Sequence, residues 1–459
     1  INSFLPAELD RKIQEKLTNF FLKKLNNKKF LHDKIEFDVV PTTFEPDLNK
    51  KTENILNNTE VKDYKKSLKI LTNKFFENEN KILNTELNKI YQLDEIINKF
   101  NKSNLSEIQK IFFLIQECKQ KGTLPFAGLA RCAFVGNSIL RIFVKKDILK
   151  KKDYSDLYES FFNIPKLINT ELLKIKSGSN KKKFLKDFGH LRPLTYSINT
   201  KNYKENFRKY FGDLKELKNK KKVKFKVSKN VEKRINLFFK KNGIKTTAKS
   251  FFDFTKKSTQ LREYSKLIFT KCINEIFINL IKLGKEINIS RNDLEFISIN
   301  QFLQSYSNLS NSKLKKILKK EIFENKKNHK ILKQIKLPDF IESHKDLYSF
   351  LDNSSNGNFI TEKKINSKLV EFKFGKSLKK IKNNIIMIEN ADPGFDFIFS
   401  YNIKGLITKY GGPNSHMAIR CMELGIPAVI GLGEIKYKNL LESHTIELNC
   451  SEQKINILN

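Results

Sequence analysis

From about Asp47 to Leu351 the chain repeats apolar residues at steps of three and four, as in "NKILNTELNKIYQLDEIINKF" and "KLIFTKCINEIFINLIKLGKEI". A stripe of that period lets a helix bury one face, so 47–351 is expected to be a large all-α domain. The pattern stops at "LDNSSNGN", whose Asn, Ser and Gly have the composition of a flexible linker, assigned to 352–358. Beyond it, short apolar runs alternate with turn residues. "NIIMIE", "KGLIT", "PAVIG", "HTIELNC" and "INIL" are expected strands, with one helix from about Ser415 to Leu424. That makes 359–459 a small, separately folded α/β domain, and the chain a multidomain one. Ahead of the helical region, residues 1–46 end in "LHDKIEFDVVPTTFEP". There Ile35, Phe37 and Val39 alternate with Lys34, Glu36 and Asp38 until Pro41, in the manner of a strand at the edge of something else. The first residue is Ile1 rather than Met, so the chain is expected to begin inside a longer protein.

The formal net charge of +38 raises the question of a nucleic-acid or anionic-membrane partner. Of the 88 basic residues only nine are Arg, and Lys arrives together with Asn, Ile and Phe, as it does when an AT-rich genome drifts. The Lys residues are spread along the whole chain and no basic block alternates with aromatics, which argues against nucleic-acid binding. No uninterrupted apolar run approaches the ~18 residues that span a bilayer, which argues against a membrane partner. Cys118, Cys132, Cys272, Cys421 and Cys450 are odd in number and hold no CxxC pair, the pattern of a reduced, cytoplasmic compartment. "FGKS", 374–377, resembles the tail of a phosphate-binding loop, but Val370 stands where that motif needs Gly.

Two stretches interrupt the helical text. "KGTLPFAGLARCAFVGNSILR", Lys121 to Arg141, spaces the small residues Gly128, Ala130, Ala133 and Gly136 so that another helix or a ligand could approach closely. "DFGHLRPLTYSI", Asp187 to Ile198, is polar and turn-prone. Both are candidate walls of a site.

The densest signal is "TKYGGPNSHMAIRCMELGIPAVIG", Thr408 to Gly431. Gly411 and Gly412 fall between an expected strand and an expected helix, where backbone N–H groups can face an anion. Ser415 is a natural N-cap and puts His416 in the first helical turn. A cation is disfavoured at that end, so the ring is expected to be neutral, exposed and nucleophilic, and a phosphoryl group on it would be stabilised. Ala418, Ile419 and Met422 are expected to pack on the sheet, and Gly425, Ile426 and Pro427 to end the helix. The plain alternative is a histidine that only caps a helix or lies on the surface.

This stretch resembles the swivelling phosphohistidine (mobile) domain of phosphoenolpyruvate-utilising enzymes, such as phosphoenolpyruvate synthase, pyruvate phosphate dikinase and rifampicin phosphotransferase. The resemblance implies a β/β/α domain in which His416 is transiently phosphorylated, surrounded by Thr408, Gly411, Gly412, Asn414 and Ser415. Asn414 stands where the family often has Thr, and Cys421-Met422 where it often has Ala-Arg, so the arginine contact to phosphate is expected at Arg420. "FGHLRP", Phe188 to Pro193, is similar to a motif in the helical domain of rifampicin-phosphotransferase-like proteins. "HDKIEF", His32 to Phe37, resembles the stretch after their ATP-grasp domain. The resemblance therefore implies the C-terminal part of a longer or split phosphotransferase, with an ATP-grasp domain upstream or on another chain. ATP and Mg2+ are implied in the same way, bound mainly outside these residues, with ATP or phosphoenolpyruvate as donor. In a chain so poor in Arg, Arg131 and Arg192, with His190, are expected to line the pocket where phospho-His416 meets a small-molecule or sugar-like acceptor. Structural roles for Arg131 and His190 are the alternative. For the whole chain the alternatives are a non-catalytic carrier or interaction module and a basic nucleic-acid binder.

Overall fold

The computed structural model describes residues 5–27, 41, 43–161, 164–211, 225–304, 310–335, 337–338, 341, 343–349, 357–372, 378–413 and 415–458. The strand expected at 35–39, the "HDKIEF" stretch, most of the linker, the "FGKS" run and Asn414 lie outside these residues.

The helical region begins earlier than Asp47. Helix α1, Arg11–Asn27, buries Ile13, Leu17 and Leu25 against Leu48, Tyr64 and Leu68. Helix α2, Asn58–Glu77, supplies Tyr64 and Leu68 and starts at a capping box, with Asn57 and Glu60 each bonding the other's backbone N–H. Then come α3 (Glu79–Asn101), α4 (Glu107–Glu117), a π-helical turn at Cys118–Thr123 and α5 (Leu124–Lys145). The sequence suggests a break near Lys121, but α4, the π turn and α5 run on as one body, 107–145. That body is long and apolar enough to cross a membrane; just over half of its most apolar window is buried inside the protein.

At the centre lies α6, Ala248–Glu286, 39 residues long and packed along α3, α4 and α5. One of the predicted small residues explains the close approach of α5. A Cβ on Gly136 would come within 2.6 Å of Thr255 Oγ1 on α6. Gly128 only meets Glu86 at ordinary contact distance. The expected close approach is therefore made by a helix, at Gly136.

The C-terminal part is a seven-stranded sheet in the order β1-β5-β4-β3-β2-β6-β7. Its strands are β1 (Asn358–Ile360), β2 (Lys364–Glu371), β3 (Ile385–Asn390), β4 (Gly405–Tyr410), β5 (Ala428–Ile430), β6 (Thr445–Asn449) and β7 (Lys454–Ile457). Strands β2 to β5 are parallel, and helix α7, His416–Leu424, makes the crossover from β4 to β5. The expected strands and helix are all present. Strands β1 and β2 and a short helix at Glu434–Leu440 were not expected. β1 starts at Asn358, inside the segment assigned to the linker, and pairs antiparallel with β5.

The sheet and the helical part share one apolar core. Phe184, Phe188, Tyr203, Tyr210 and Phe211 from the helical side pack with Phe395, Phe397, Tyr401 and Met417 from the sheet side. Each such side chain contributes on the order of 2 kcal/mol when removed from water. Polar contacts align the two faces: Thr195 donates through its N–H and Oγ1 to Asp392, Tyr203 Oη to Gly394 O (3.2 Å), and Tyr401 Oη to Tyr210 O (2.8 Å).

Candidate functional site

Helix α7 is built as the sequence implied at both ends. Ser415 has extended backbone and its Oγ accepts from Ala418 N at 3.3 Å, and Gly425 takes the left-handed conformation (φ 60°) that ends the helix. The buried face overlaps the expected one at Ala418, and Met422 packs at the edge of the same core. Met417, Ala418 and Cys421 are fully covered by the sheet, while Ile419 and Met422 are half-buried.

Gly411 is required by close approach. It has φ 133°, and a Cβ there would come within 2.6 Å of Ala391 Cβ and 3.0 Å of Ile430 Cγ2. Gly412 faces open space and its carbonyl accepts from Ser415 N. Thr408 is buried in β4. Its Oγ1 donates to Tyr410 O (2.9 Å) and accepts from Gly431 N (3.0 Å), so it closes the loop beneath the histidine.

His416 is neither exposed nor neutral. Its side chain is 8 % exposed and sits between two carboxylates. Nε2 is 2.9 Å from Asp396 Oδ2, and Nδ1 is 3.4 Å from Glu263 Oε2. Burial alone would lower the pKa of the ring, but Asp396 and Glu263 outweigh it and raise the value to about 9. The expected helix-end effect is overruled because the dipole carries only a fraction of the charge that two adjacent carboxylates do.

Both carboxylates have cationic partners. Asp396 lies in the 3-10 turn Pro393–Tyr401, and its Oδ1 is 3.4 Å from Arg420 Nε. Arg420 is itself buried with its guanidinium over the Phe399 ring. Glu263 is on α6, 2.9 Å from Arg262. Burial would raise the Glu263 carboxyl, but Arg262, then His416, hold it well below the usual carboxylate range. One turn on, Lys266 lies over the Phe126 ring and makes no salt bridge among the described residues. Burial lowers its ammonium pKa, and Glu263 and Asp392 offset part of that. Thus Arg262, Glu263 and Lys266 meet Asp396, His416 and Arg420 at the junction of the two parts of the chain.

The three residues expected on the acceptor side fare differently. Arg131 is exposed on α5 and is not brought to His416. Arg192 is buried and fully engaged, bonding Ser197 O, Thr200 O and Asn274 Oδ1 and stacking over Phe277. It ties the 189–200 loop to α6, a geometry that does not fit an open phosphate clamp. His190 reaches α6 as well, with Nε2 3.1 Å from Leu267 O. Burial first, then Lys271 and Arg192, lower its pKa to about 3, so the ring is neutral. Its Nδ1 is buried with no hydrogen-bond partner.

Sequence reasoning missed Asp396, Glu263, Arg262 and Lys266. A signal existed in "TQLREYSK": Arg262 is one of the nine arginines, and Thr259, Arg262, Glu263 and Lys266 fall at the three- and four-residue steps that elsewhere carry apolar residues. All five cysteines are buried and unpaired. Among the described residues no group of three or more His, Cys, Asp or Glu is placed to hold a metal ion, so the Mg2+ implied by the resemblance finds no ligand set among them.

No curated protein matches the chain. Residues 381–453, which span Asp396, His416 and Arg420, match the family model described as PEP-utilising enzyme, mobile domain. Over those residues the C-terminal part of this chain, the mobile domain below, is therefore similar to the mobile domain of PEP-utilising enzymes.

Proposed function

We propose that the chain is a phosphotransferase that relays a phosphoryl group through His416 to an acceptor bound on the helical side. The observation that carries the reading is the docking of the mobile domain's histidine against Arg262, Glu263 and Lys266 on α6. Arg262 and Lys266 are the cations a transferring phosphoryl group needs when its charge spreads over its oxygens. Lys266 is the more available of the two, because Arg262 already pairs with Glu263.

In this reading the domain is loaded elsewhere, at an ATP-grasp domain upstream or on another chain, and returns to α6 to unload. Loading forms a P–N bond at His416 and breaks the P–O bond to the donor's leaving group. Unloading breaks the P–N bond as an acceptor hydroxyl attacks phosphorus, and the hydroxyl proton leaves to a base. Glu263 is held too low by Arg262 and His416, and His190 too low by burial, to act as that base, so the proton leaves to solvent or to a group that arrives with the acceptor. Histidine suits the role because its P–N bond is labile, so the group can be received and given up with modest barriers.

The test is direct. The full protein is incubated with ATP and Mg2+, or with phosphoenolpyruvate, together with the nucleotide-binding part, and intact mass is measured. The reading requires one acid-labile phosphoryl group that is absent in His416→Ala. Absence of any adduct with either donor would support the non-catalytic carrier instead.

A further inference from the structure

Asp396 Oδ2 accepts from His416 Nε2 along the direction in which a phosphoryl group on that nitrogen would project. We propose that the Asp396 carboxylate is a placeholder: it fills the phosphoryl position between His416 Nε2 and Arg420, and gives Arg420 up to the phosphoryl group when the histidine is loaded. This rests on the phosphoryl-relay reading above.

The geometry supplies the parts. Asp396 bridges the two groups, with Oδ2 2.9 Å from His416 Nε2 and Oδ1 3.4 Å from Arg420 Nε. A phosphoryl group presents oxygens to a guanidinium as a carboxylate does, and with higher charge, so it competes for the same partner. The side chains of Asp396, His416 and Arg420 are 7 %, 8 % and 5 % exposed, which leaves no second berth for an anion on Nε2 while Asp396 stays. All three residues lie within 381–453 and travel together, whereas Glu263 remains on α6. The exchange is therefore available wherever the domain docks. Arg420 is the one arginine in the sequence of 381–453.

The chemistry balances simply. While Asp396 accepts from Nε2–H, that nitrogen has no free lone pair. With the ring protonated on both nitrogens, loading requires Asp396 to turn away and the Nε2 proton to pass to solvent, the ring keeping its other proton on Nδ1. Nε2 then attacks phosphorus, the P–O bond to the leaving group breaks with its electron pair, and the Nδ1 proton passes to solvent. Asp396 is thus a positioning residue, holding a proton on Nε2 and so keeping the ring unreactive until an anion displaces it.

Two readouts test this on the full chain. The first is the half-life of phospho-His416 after donor removal, in wild type, Asp396→Ala and Arg420→Ala. We expect about fivefold longer survival in Asp396→Ala and about fivefold shorter in Arg420→Ala, a change of ~1 kcal/mol either way. The second is NMR of the His416 ring titrated with inorganic phosphate, which should shift in Asp396→Ala and not in wild type. If Asp396→Ala does not fold, Asp396→Asn keeps the shape, removes the charge and is read in the same way. An adduct in Asp396→Ala as short-lived as in Arg420→Ala, with an unchanged melting curve, overturns the placeholder. If the wild type takes no phosphate from either donor, the relay reading fails, and the titration alone decides: a phosphate shift confined to the variant supports the placeholder, and no shift overturns it.

Discussion

Glu263 Oε2 on the long helix α6 lies 3.4 Å from Nδ1 of His416 on the mobile domain, so the two parts of the chain meet through the ring that the domain carries. Replacing Glu263 with Gln keeps the shape and removes one of the two charges that raise the pKa of the ring. The His416 pKa is expected to fall by about one unit, equivalent to ~1.4 kcal/mol, as read by NMR titration of the imidazole. An unchanged titration would show that Asp396 alone sets the charge of the ring.

The same pair gives docking a pH dependence with a defined sign. The His416 pKa is raised to about 9 when docked, and undocking removes the Glu263 share of that rise while Asp396 stays with the ring, so the contribution to docking is present at neutral pH and is lost as pH rises through about 9. The Glu263 carboxyl is depressed, so its contribution is present above the ordinary carboxylate value and is lost only as pH falls well below it. The distance between fluorescent labels on the two parts should therefore be flat near neutrality and lengthen above about pH 9. His416→Gln should remove the alkaline limb and leave the acid one.

Lys266 separates loading from unloading. Lys266→Ala removes a cation from the α6 side and none from the mobile domain. Phosphate transfer from His416 to an acceptor should slow by about 10²–10³, the size of loss seen when one preorganised charge-stabilising group is removed. The rate at which His416 is loaded from the donor should not change. Rapid-quench measurement of the two steps checks this, and an equal slowing of both would place Lys266 outside the unloading site.

How far the sequence could be read depended on the range of the forces involved. The β4–α7–β5 unit was legible because its determinants are local: Ser415 caps the helix and Gly425 ends it with φ 60°. The long helical stripes were legible for the same reason. His416 could be picked out, but its charge could not, because Glu263 is far away in sequence and Asp396 stands 20 residues upstream behind a turn. Arg192 misled for a related reason. Scarcity marked it as important, which it is, but its partners Asn274 and Phe277 on α6 make it a strut. Arg262 was equally scarce and lay unremarked inside a helical repeat.

The docking itself rests on a loop contact that one methyl group can test. Gly394, in the turn that leads to Asp396, has no space for a side chain: a Cβ would stand 1.6 Å from Arg192 O, 2.3 Å from Arg192 C and 2.5 Å from Pro193 Cα. All three are backbone atoms of the helical side, held by Arg192 and by the bond from Tyr203 N to Leu191 O, so they cannot yield as a flexible side chain would. Gly394→Ala should therefore separate the two faces at a cost of at least about 1–3 kcal/mol, the range for overpacking. By contrast, Thr195→Val removes one hydroxyl bond to Asp392, and its cost is expected near 1–2 kcal/mol. Label distance and limited proteolysis between 343 and 358 would register both, with the larger opening in Gly394→Ala. The sheet of the mobile domain should keep its melting transition in each variant, because neither residue packs within it. Retention of the wild-type distance in Gly394→Ala would mean that the Arg192 loop is not the surface on which the domain rests.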